Sequence, residues 1–509
     1  MNTTNRLSTS NRGFGVDVLW LFVILAGALF ITSLIPLIPN DFWWHLKIGE
    51  WIFTHRTIPT TNMFAWTLPA DTPYYYGTWL GELLLFLIYR LGRLELTIFT
   101  RTLLFGVTLW LLGYEARRRS GSWRIAAFIV ALGVVMTLSN VLVRTQIWSW
   151  LPFIIYLILL TRFSEHQLPK AWLLILPVLM IFWVNAHGAF ILGEVLIGIY
   201  FLGELVRTLL KLPAALQLKD ALWLALIGLF SGLAILINPR FFDIIQYILD
   251  LMTDRPSQQL IVEWQSPTPQ GLVNITFYLS ILVLLICLAY SKNRLTPTSV
   301  LTIAAFLWLA WSGMRYIVWY ALAVMPILAQ SIANLPIKYP TLESTRSWRN
   351  LLIVVLLFIP VFFVQPWFVE KFPLPETYLK QVWLDVPDGP LLSVETPIAA
   401  VKYLKTHPGG HLFNEMGYGS YLIWAFPEQG VFVDPRVELY PFEQWQDYVR
   451  ITHGADYNRI LEQYGVDRLL LSKEHQEDMS HILTNDPIWL LEYEDLYAQI
   501  WIKVNDEKP

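Results

Sequence analysis

Cysteine is almost absent from this 509-residue chain, and charged residues are scarce. The one cysteine, Cys287, lies inside an apolar run, which excludes disulfides within the chain and metal clusters built on thiolates. Only 15% of the residues are charged and the net charge is −3, whereas nucleic-acid binding needs a basic surface that displaces counterions from phosphate. We therefore expect no nucleic-acid partner.

Hydrophobic residues, in contrast, make up 55% of the chain and aromatic residues 15%. Apolar runs long enough to cross about 30 Å of hydrocarbon recur up to residue 369, whereas the stretch that follows is charged and rich in turns. The sequence predicts a transmembrane domain over residues 1–369 and a C-terminal α/β domain over residues 370–509. No convincing internal duplication is present, which argues against a transporter.

The apolar runs predict a polytopic α-helical membrane protein with about eleven spans. These are Val16–Ile38, Leu96–Tyr114, Trp123–Ser139, Ile147–Phe163, Trp172–Val184, Ala189–Val206, Ala221–Ile237, Leu272–Tyr290, Val300–Trp311, Tyr316–Ala333 and Leu351–Phe368.

A twelfth apolar run, Trp79–Leu91, is short for a span and decides the topology. If it lies flat on the outer surface, every basic loop faces the cytoplasm, including the cluster Arg117–Arg119. We therefore expect a multi-pass protein of the plasma (inner) membrane with a cytoplasmic N-terminus. The catalytic loop, residues 39–93 with juxtamembrane helices, and the C-terminal domain are then extracytoplasmic.

In the C-terminal domain, helical and strand-like segments alternate, which favours a mainly parallel sheet. The predicted helices are Ile398–Thr406, Tyr418–Ala425 and Phe442–Tyr464, and the predicted strands are His411–Asn414, Val431–Asp434, Asp467–Leu471, Trp489–Tyr493 and Tyr497–Lys503. No glycine-rich phosphate fingerprint accompanies them, so we assign the domain no nucleotide.

The loop after the first span carries the strongest candidate for catalysis, Asp41. Trp43 and Trp44 follow it at the membrane interface, where partial desolvation makes a carboxylate a better proton acceptor. On a helix, His45 shares the face of Asp41, whereas Glu50 is turned away. The alternative is that Asp41 only caps a surface helix.

Arg315 stands alone between two spans, which is costly unless the guanidinium meets an anion or water. A phosphate would satisfy it, although snorkelling to lipid headgroups is an equally simple explanation. Arg144 and His187 lie in other outer loops and could assist, and Arg240 and Asp243 begin an outer amphipathic stretch.

Several of these segments together resemble the GT-C glycosyltransferases, a superfamily that includes oligosaccharyltransferase catalytic subunits, protein mannosyltransferases and aminoarabinose transferases. Trp79–Gly92, followed by Arg101 and the basic cluster Arg117–Arg119, looks like their juxtamembrane helix and second span. Arg315-Tyr316 with Pro326 is similar to their late Arg-Tyr…Pro pattern. The resemblance covers roughly residues 15 to 335.

The resemblance implies a glycosyltransferase that moves a sugar with inversion from a polyprenyl-phosphate donor to an extracytoplasmic acceptor. Asp41 would be the base, His45 would orient it or the sugar, and Arg315 with Arg144 or His187 would bind the donor phosphate. No cofactor is certain. The loop lacks the Asp-x-Asp form, so a divalent metal is left open and its ligands are unknown.

The acceptor would be a cell-envelope glycan, a lipid or a protein, and membrane lipid is a further partner. Glu50, Arg240 and Asp243, together with Asp434 and Arg436 of the C-terminal domain, are the accessory or acceptor-side candidates, although turns and caps are the simpler explanation for the last two. A non-catalytic scaffold or glycan-binding protein is the alternative function, and a transporter a weaker one.

Overall fold

The structure, a computed structural model, describes residues 15–291, 293–337, 347–368 and 391–504. The predicted domain boundary at residue 369 lies outside the described residues, and so do the basic residues Arg6, Arg12, Lys292 and Lys338.

The described part of the chain before residue 369 is helical. Its α-helices are α1 (Val16–Ser33), α2 (Phe42–His55), α3 (Trp79–Ser120), α4 (Trp123–Thr137), α5 (Ile147–Ser164), α6 (Ile175–Ala186), α7 (Ile191–Leu209), α8 (Leu218–Ile235), α9 (Asp243–Thr253), α10 (Arg255–Leu260), α11 (Gly271–Tyr290), α12 (Pro297–Ser312), α13 (Ile317–Ala333) and α14 (Ser347–Phe363).

Each predicted span coincides with one of these helices. Among the described residues, eight helical segments are long and apolar enough to cross a membrane, and three shorter apolar segments are Lys170–Ala186, Pro297–Ser312 and Ser347–Phe363. The chain is therefore a multi-pass α-helical membrane protein, while the number of eleven crossings stays a prediction.

Helix α13 lies at the centre of the bundle, where it packs against α3, α4 and α12. About 78% of its apolar window is buried, compared with 33% for α8 and α11, whose remaining apolar side chains face outward. Outward apolar faces suit lipid surroundings, because lipid does not penalise them as water would.

Helix α3 is broken at Gly92 and Arg93, whose backbones are non-helical (φ/ψ −152°/25° and 54°/−148°). The break falls between Trp79–Leu91 and the predicted span that starts at Leu96. The two parts are thus separate helical pieces, as the topology argument requires, and the flat position of the first piece stays a prediction.

The first loop, residues 34–78, is anchored to the helix bundle at the point where the loop follows α1. Arg101 of α3 is fully buried and donates hydrogen bonds to the carbonyl oxygens of Thr32 and Ile35 at the end of α1. A cation there suits the partial negative charge at the C-terminal end of α1. Pro36 and Pro39 then prevent the helix from continuing, and α2 starts three residues after Pro39.

The C-terminal unit, residues 391–504, is an α/β fold with a four-stranded sheet. Its strands are β1 (His411–Asn414), β2 (Val466–Ser472), β3 (Trp489–Glu494) and β4 (Ala498–Lys503), in the order β1-β2-β4-β3. Its helices are α15 (Ile398–Thr406), α16 (Met416–Ala425), α17 (Phe442–Thr452), α18 (Tyr457–Tyr464) and α19 (Glu477–Leu483).

Three predictions for this unit were wrong. The sheet is mixed, since only β1 and β2 are parallel, and β3 and β4 are antiparallel because a connection of three residues is too short for a crossover. Val431–Asp434 forms no strand, and Val431 makes only an isolated bridge with Ala65. The long helix Phe442–Tyr464 is two helices, separated near Asp456, which has a φ of +54°.

The C-terminal unit packs directly on the first loop. The hydroxyl of Ser420 donates to the carbonyl oxygen of Asn40 and accepts a hydrogen bond from the amide of Trp44 (3.1 Å). An isolated β-bridge also joins Leu37 to Leu392. The start of α2 is therefore held by the membrane bundle and by the C-terminal unit together.

Candidate active site

A cavity of about 670 Å³ lies between the helix bundle and the C-terminal unit. Its walls come from the first loop, α2, the start of α3, the segments around α7, α9, α12 and α13, and the C-terminal unit. The five residues predicted for catalysis or phosphate binding all line it: Asp41, His45, Arg144, His187 and Arg315. The structure brings these residues together, and their roles stay predictions.

Asp41 occupies the N-cap position of α2, but its carboxylate makes no capping hydrogen bond. Instead it accepts a hydrogen bond from the indole of Trp44 (3.3 Å) and lies 3.9 Å from Nη1 of Arg144. The simpler alternative, in which Asp41 serves only to cap a helix, therefore does not describe this side chain.

His45 is buried one turn further along α2, beside Glu82 of α3. Its Nδ1 lies 3.0 Å from Oε1 of Glu82, which also accepts a hydrogen bond from the hydroxyl of Thr78 (3.0 Å). Glu50 lies elsewhere, because it pairs with Lys47 at 2.8 Å on a more exposed face and does not line the cavity.

Arg144 lies beside carboxylates from two other segments of the site. Its Nη1 donates to Glu263 at 2.9 Å, whereas its Nε and Nη2 are buried without a partner among the described residues. Burial favours the neutral form, but Glu263 and Asp41 hold the pKa of Arg144 above its usual value. Two donors of a charged guanidinium are thus available for an anion.

Arg315 stacks over the indole of Trp264, with 4.3 Å between the guanidinium carbon and the ring centre. No ion pair of Arg315 is found within the described ranges. The side chain lines the cavity, so its charge faces the same space as that of Arg144.

The hydrogen bonds of His187 fix its tautomer. Its Nδ1 accepts from the amide of Ala189 (3.2 Å) and lies 2.8 Å from the hydroxyl of Ser149, which itself accepts from the indole of Trp183. The proton of the ring is therefore on Nε2. Burial and the charges of Arg315 and Arg144 lower the pKa of His187 well below its usual value, so the imidazole is a neutral N–H donor.

The C-terminal unit contributes Glu438 and Arg436 to the same cavity. Oε1 of Glu438 accepts hydrogen bonds from the hydroxyls of Tyr74 (2.8 Å) and Tyr247 (3.5 Å), and burial raises its pKa. Arg436 forms a fully buried ion pair with Asp434 at 2.7 Å. Asp434 does not line the cavity, so its position indicates a structural role.

Arg240 and Asp243 are not part of this cavity. Arg240 stacks on Tyr75 and lines a separate cavity of about 530 Å³ on the other side of that residue. Asp243 is exposed in the first turn of α9 and lines neither cavity. The geometry therefore does not support Arg240 and Asp243 as accessory residues of the Asp41 site.

Three acids of the site were missed by the sequence analysis: Glu82, Glu263 and Glu438. A signal existed for Glu82, because a carboxylate inside an apolar helix is costly and calls for a partner. Glu263 and Glu438 lie in irregular segments whose positions depend on the tertiary fold, and no pattern marked them.

The residues do not fit a metal site as they stand. The described part of the chain contains no group of three His, Cys, Asp or Glu side chains that could hold a metal ion. Asp41 and Glu263 are the two carboxylates nearest the cluster of cations, and the guanidinium of Arg144 already lies beside both of them. We therefore derive no step through a metal.

Comparison with known proteins supports the fold. No family model matches the chain. No curated protein matches it either. Among solved structures, it is similar to the oligosaccharyltransferase AglB of Archaeoglobus fulgidus with an inhibitory peptide and a dolichol-phosphate, with 12% identity over 90% of this chain and 69% of that chain and a TM-score of 0.50.

The apo form of the Archaeoglobus fulgidus oligosaccharyltransferase matches at 12% identity over 90% of this chain and 70% of that one, with a TM-score of 0.50. ArnT from Cupriavidus metallidurans bound to undecaprenyl phosphate matches at 13% identity over 96% and 98%, with a TM-score of 0.46. At such identities the oligosaccharyltransferase matches show the fold alone. The chain therefore shares the fold of the archaeal oligosaccharyltransferase, and in this chain the helix bundle is followed by a C-terminal α/β unit.

Proposed function

We propose that this protein is a glycosyltransferase that moves a sugar, with inversion, from a polyprenyl-phosphate donor to an extracytoplasmic glycan, lipid or protein. One observation carries the proposal. The carboxylate of Asp41 does not cap its own helix and faces the cavity that Arg144, Arg315 and His187 also line. A base beside a cluster of anion donors is what this transfer requires.

The donor phosphate would bind at Arg144, Arg315 and His187. Arg144 offers Nε and Nη2, His187 offers Nε2–H, and Arg315 adds a positive charge with no acidic partner in the described ranges. Because Arg144 is buried, its charge acts more strongly on a phosphate than it would in water.

The isoprenoid chain would lie along the apolar wall of the cavity. This wall is formed by Leu192 and Val195 of α7, Leu251 of α9, and Trp308 and Leu309 of α12. Trp308 is 77% exposed, which suits a side chain that borders lipid. The archaeal oligosaccharyltransferase AglB, which has the same fold, binds a dolichol-phosphate, and this supports a lipid of that kind here.

The chemical step is a displacement at the anomeric carbon. Asp41 takes the proton of the acceptor group as that group forms a bond to the anomeric carbon. The bond between this carbon and the phosphate oxygen breaks, and its electron pair leaves with the phosphate. Arg144 and Arg315 stabilise the negative charge that develops on the leaving phosphate.

We place the reaction on the extracytoplasmic face of the plasma (inner) membrane. Arg117–Arg119 lie at the opposite end of α3 from Trp79, which belongs to the catalytic loop. Basic residues concentrate in cytoplasmic loops, so the loop and the C-terminal unit belong outside, with a cytoplasmic N-terminus.

The test is sugar transfer by purified protein from a panel of polyprenyl-phosphate sugars. Asp41→Asn keeps the size of the side chain but cannot accept the proton, and we expect transfer to fall about 100-fold or more. Asp71→Asn, an exposed aspartate of the same loop, is the control and should retain activity. Unchanged transfer by Asp41→Asn would remove Asp41 from the mechanism, and glycan binding without transfer by the wild type would favour the scaffold alternative.

A further inference from the structure

Apart from Arg436, which is paired with Asp434, and Glu263, which is paired with Arg144, the charged groups of the cavity fall into two sets, and Asp41 interacts with both. Asp41 is close enough to interact electrostatically with Arg144 and Arg315 on one side. It also interacts with Glu438, which belongs to the C-terminal unit. The cationic set is assigned above to the donor phosphate, and the acidic set has no assigned role.

Glu82 is the first member of the acidic set. Its side chain is completely buried, and Oε1 already accepts from His45 and Thr78. Its other oxygen, Oε2, is buried and has no hydrogen-bond partner in the part of the chain that the structure describes. An unsatisfied buried polar atom costs about 1–3 kcal/mol, and Glu82 lines the cavity, so a ligand can supply the missing hydrogen bond.

Glu438 is the second member, and it lines the same cavity as Glu82. Tyr74 and Tyr247 both donate to its Oε1, so Oε2 receives no side-chain hydrogen bond from the described residues. Tyr247, which donates to Glu438, lines the same cavity and also interacts electrostatically with Glu82. The aromatic ring of Trp44 borders the same space.

We propose that Glu82 and Glu438 form an acidic subsite that binds the hydroxyl groups of an uncharged donor sugar. This inference rests on the proposed function. Sugar hydroxyls donate hydrogen bonds to carboxylate oxygens, and aromatic rings pack against sugar C–H groups. A sugar that carries a carboxylate would set a negative charge against two acids. The subsite therefore selects neutral sugars over uronic acids.

The experiment measures binding of three ligands to the purified full-length protein. These are a polyprenyl phosphate, the same lipid phosphate carrying a neutral hexose, and the same lipid phosphate carrying a hexuronate. The wild type should bind the hexose form more tightly than the bare lipid phosphate, and the hexuronate form about tenfold more weakly than the hexose form.

Glu82→Gln and Glu438→Gln keep the shape of each side chain and remove its charge. Each should weaken binding of the hexose form about tenfold, while binding of the bare lipid phosphate changes less than about twofold. Retained binding of the bare lipid phosphate also shows that the variant is folded. Glu428→Gln, an exposed glutamate of the C-terminal unit, is the matched control and should bind all three ligands like the wild type.

The inference is overturned if both variants keep the wild-type preference for the hexose form, or if the wild type binds the hexuronate as tightly as the hexose. Those results leave the proposed function standing, because binding of the bare lipid phosphate depends on the arginines. A wild type that does not bind the bare lipid phosphate would overturn the proposed function and this inference with it.

Discussion

Arg144 and Arg315, the two arginines proposed to bind phosphate, form few hydrogen bonds with acidic groups of the protein. Nη1 of Arg144 donates a hydrogen bond to Glu263, and its other two nitrogens have no partner among the described residues. Arg315 is held in place by Trp264 rather than by an acid. Buried donors are normally satisfied, so the two unpartnered nitrogens of Arg144 indicate an anionic ligand.

Replacing Arg315 should therefore weaken binding of the lipid phosphate. We expect Arg315→Gln to raise the dissociation constant for polyprenyl phosphate about tenfold or more, because a charge-assisted hydrogen bond contributes about 1.5–3 kcal/mol. Arg349→Gln, which changes an exposed arginine of α14, is the control. Equal affinities of wild type and Arg315→Gln would exclude Arg315 from the phosphate site.

His187 should make the stability of the protein depend on pH. Its pKa is lower in the folded than in the unfolded chain, so below about pH 6.5 the unfolded chain binds the additional proton. Stability should fall as the pH drops through this range, by at most about 1.4 kcal/mol per pH unit.

The measurement is the melting temperature of detergent-solubilised protein between about pH 5 and 8. His187→Gln should flatten the acid side of the curve, and His481→Gln, an exposed histidine of the C-terminal unit, should not. A curve that keeps its slope in His187→Gln would show that other groups cause it.

At the scale of elements, the apolar runs were sufficient to predict the helices of the bundle, because span length is set by bilayer thickness. That Asp41 and Arg315 line one cavity was also predictable, since both lie at the extracytoplasmic ends of predicted spans. What could not be predicted is the contact between α2 and α3 that joins His45 to Glu82. This contact depends on a glycine whose role no periodic pattern reveals.

Gly49 allows that close approach of α2 and α3. A methyl group at this position would lie 2.2 Å from the carbonyl oxygen of Glu82 and 2.7 Å from Cβ of Phe86. Gly49→Ala should push the helices apart, disturb the His45–Glu82 contact and destabilise the protein by about 1–3 kcal/mol.

Gly27→Ala is the matched control, because a methyl group on that α1 glycine meets no atom within 4 Å. It should be neutral or slightly stabilising, as expected for alanine in a helix. Thermal unfolding and transfer activity of the two variants measure the difference, and equal behaviour would contradict the packing role of Gly49.

At the scale of the whole molecule, the C-terminal unit is part of the site rather than an appendage. It supplies Glu438 to the cavity and holds the start of α2 through Ser420. The sequence predicted an α/β unit but not its docking on the first loop, since the segment around Val431 pairs with Ala65 instead of joining the sheet. Contacts between distant parts of a chain leave no periodic signal.

Ser420 therefore provides a test of this coupling. Ser420→Ala leaves the carbonyl of Asn40 and the amide of Trp44 without their partner, which should cost about 1–3 kcal/mol and speed amide hydrogen exchange at the start of α2. Ser480→Ala is the control, because Ser480 bonds to Gln499 within the C-terminal unit. Unchanged exchange at the start of α2 in Ser420→Ala would show that the unit does not hold it.

The central claim is that a lipid phosphate sits among Arg144, Arg315 and His187, beside Asp41. A cryo-EM structure of the full-length protein with bound polyprenyl phosphate tests it most directly. We expect phosphate density in hydrogen-bond contact with Arg144 and Arg315, with the isoprenoid chain along α7 and α12. Phosphate density elsewhere, with the cavity between the bundle and the C-terminal unit left empty, would contradict it.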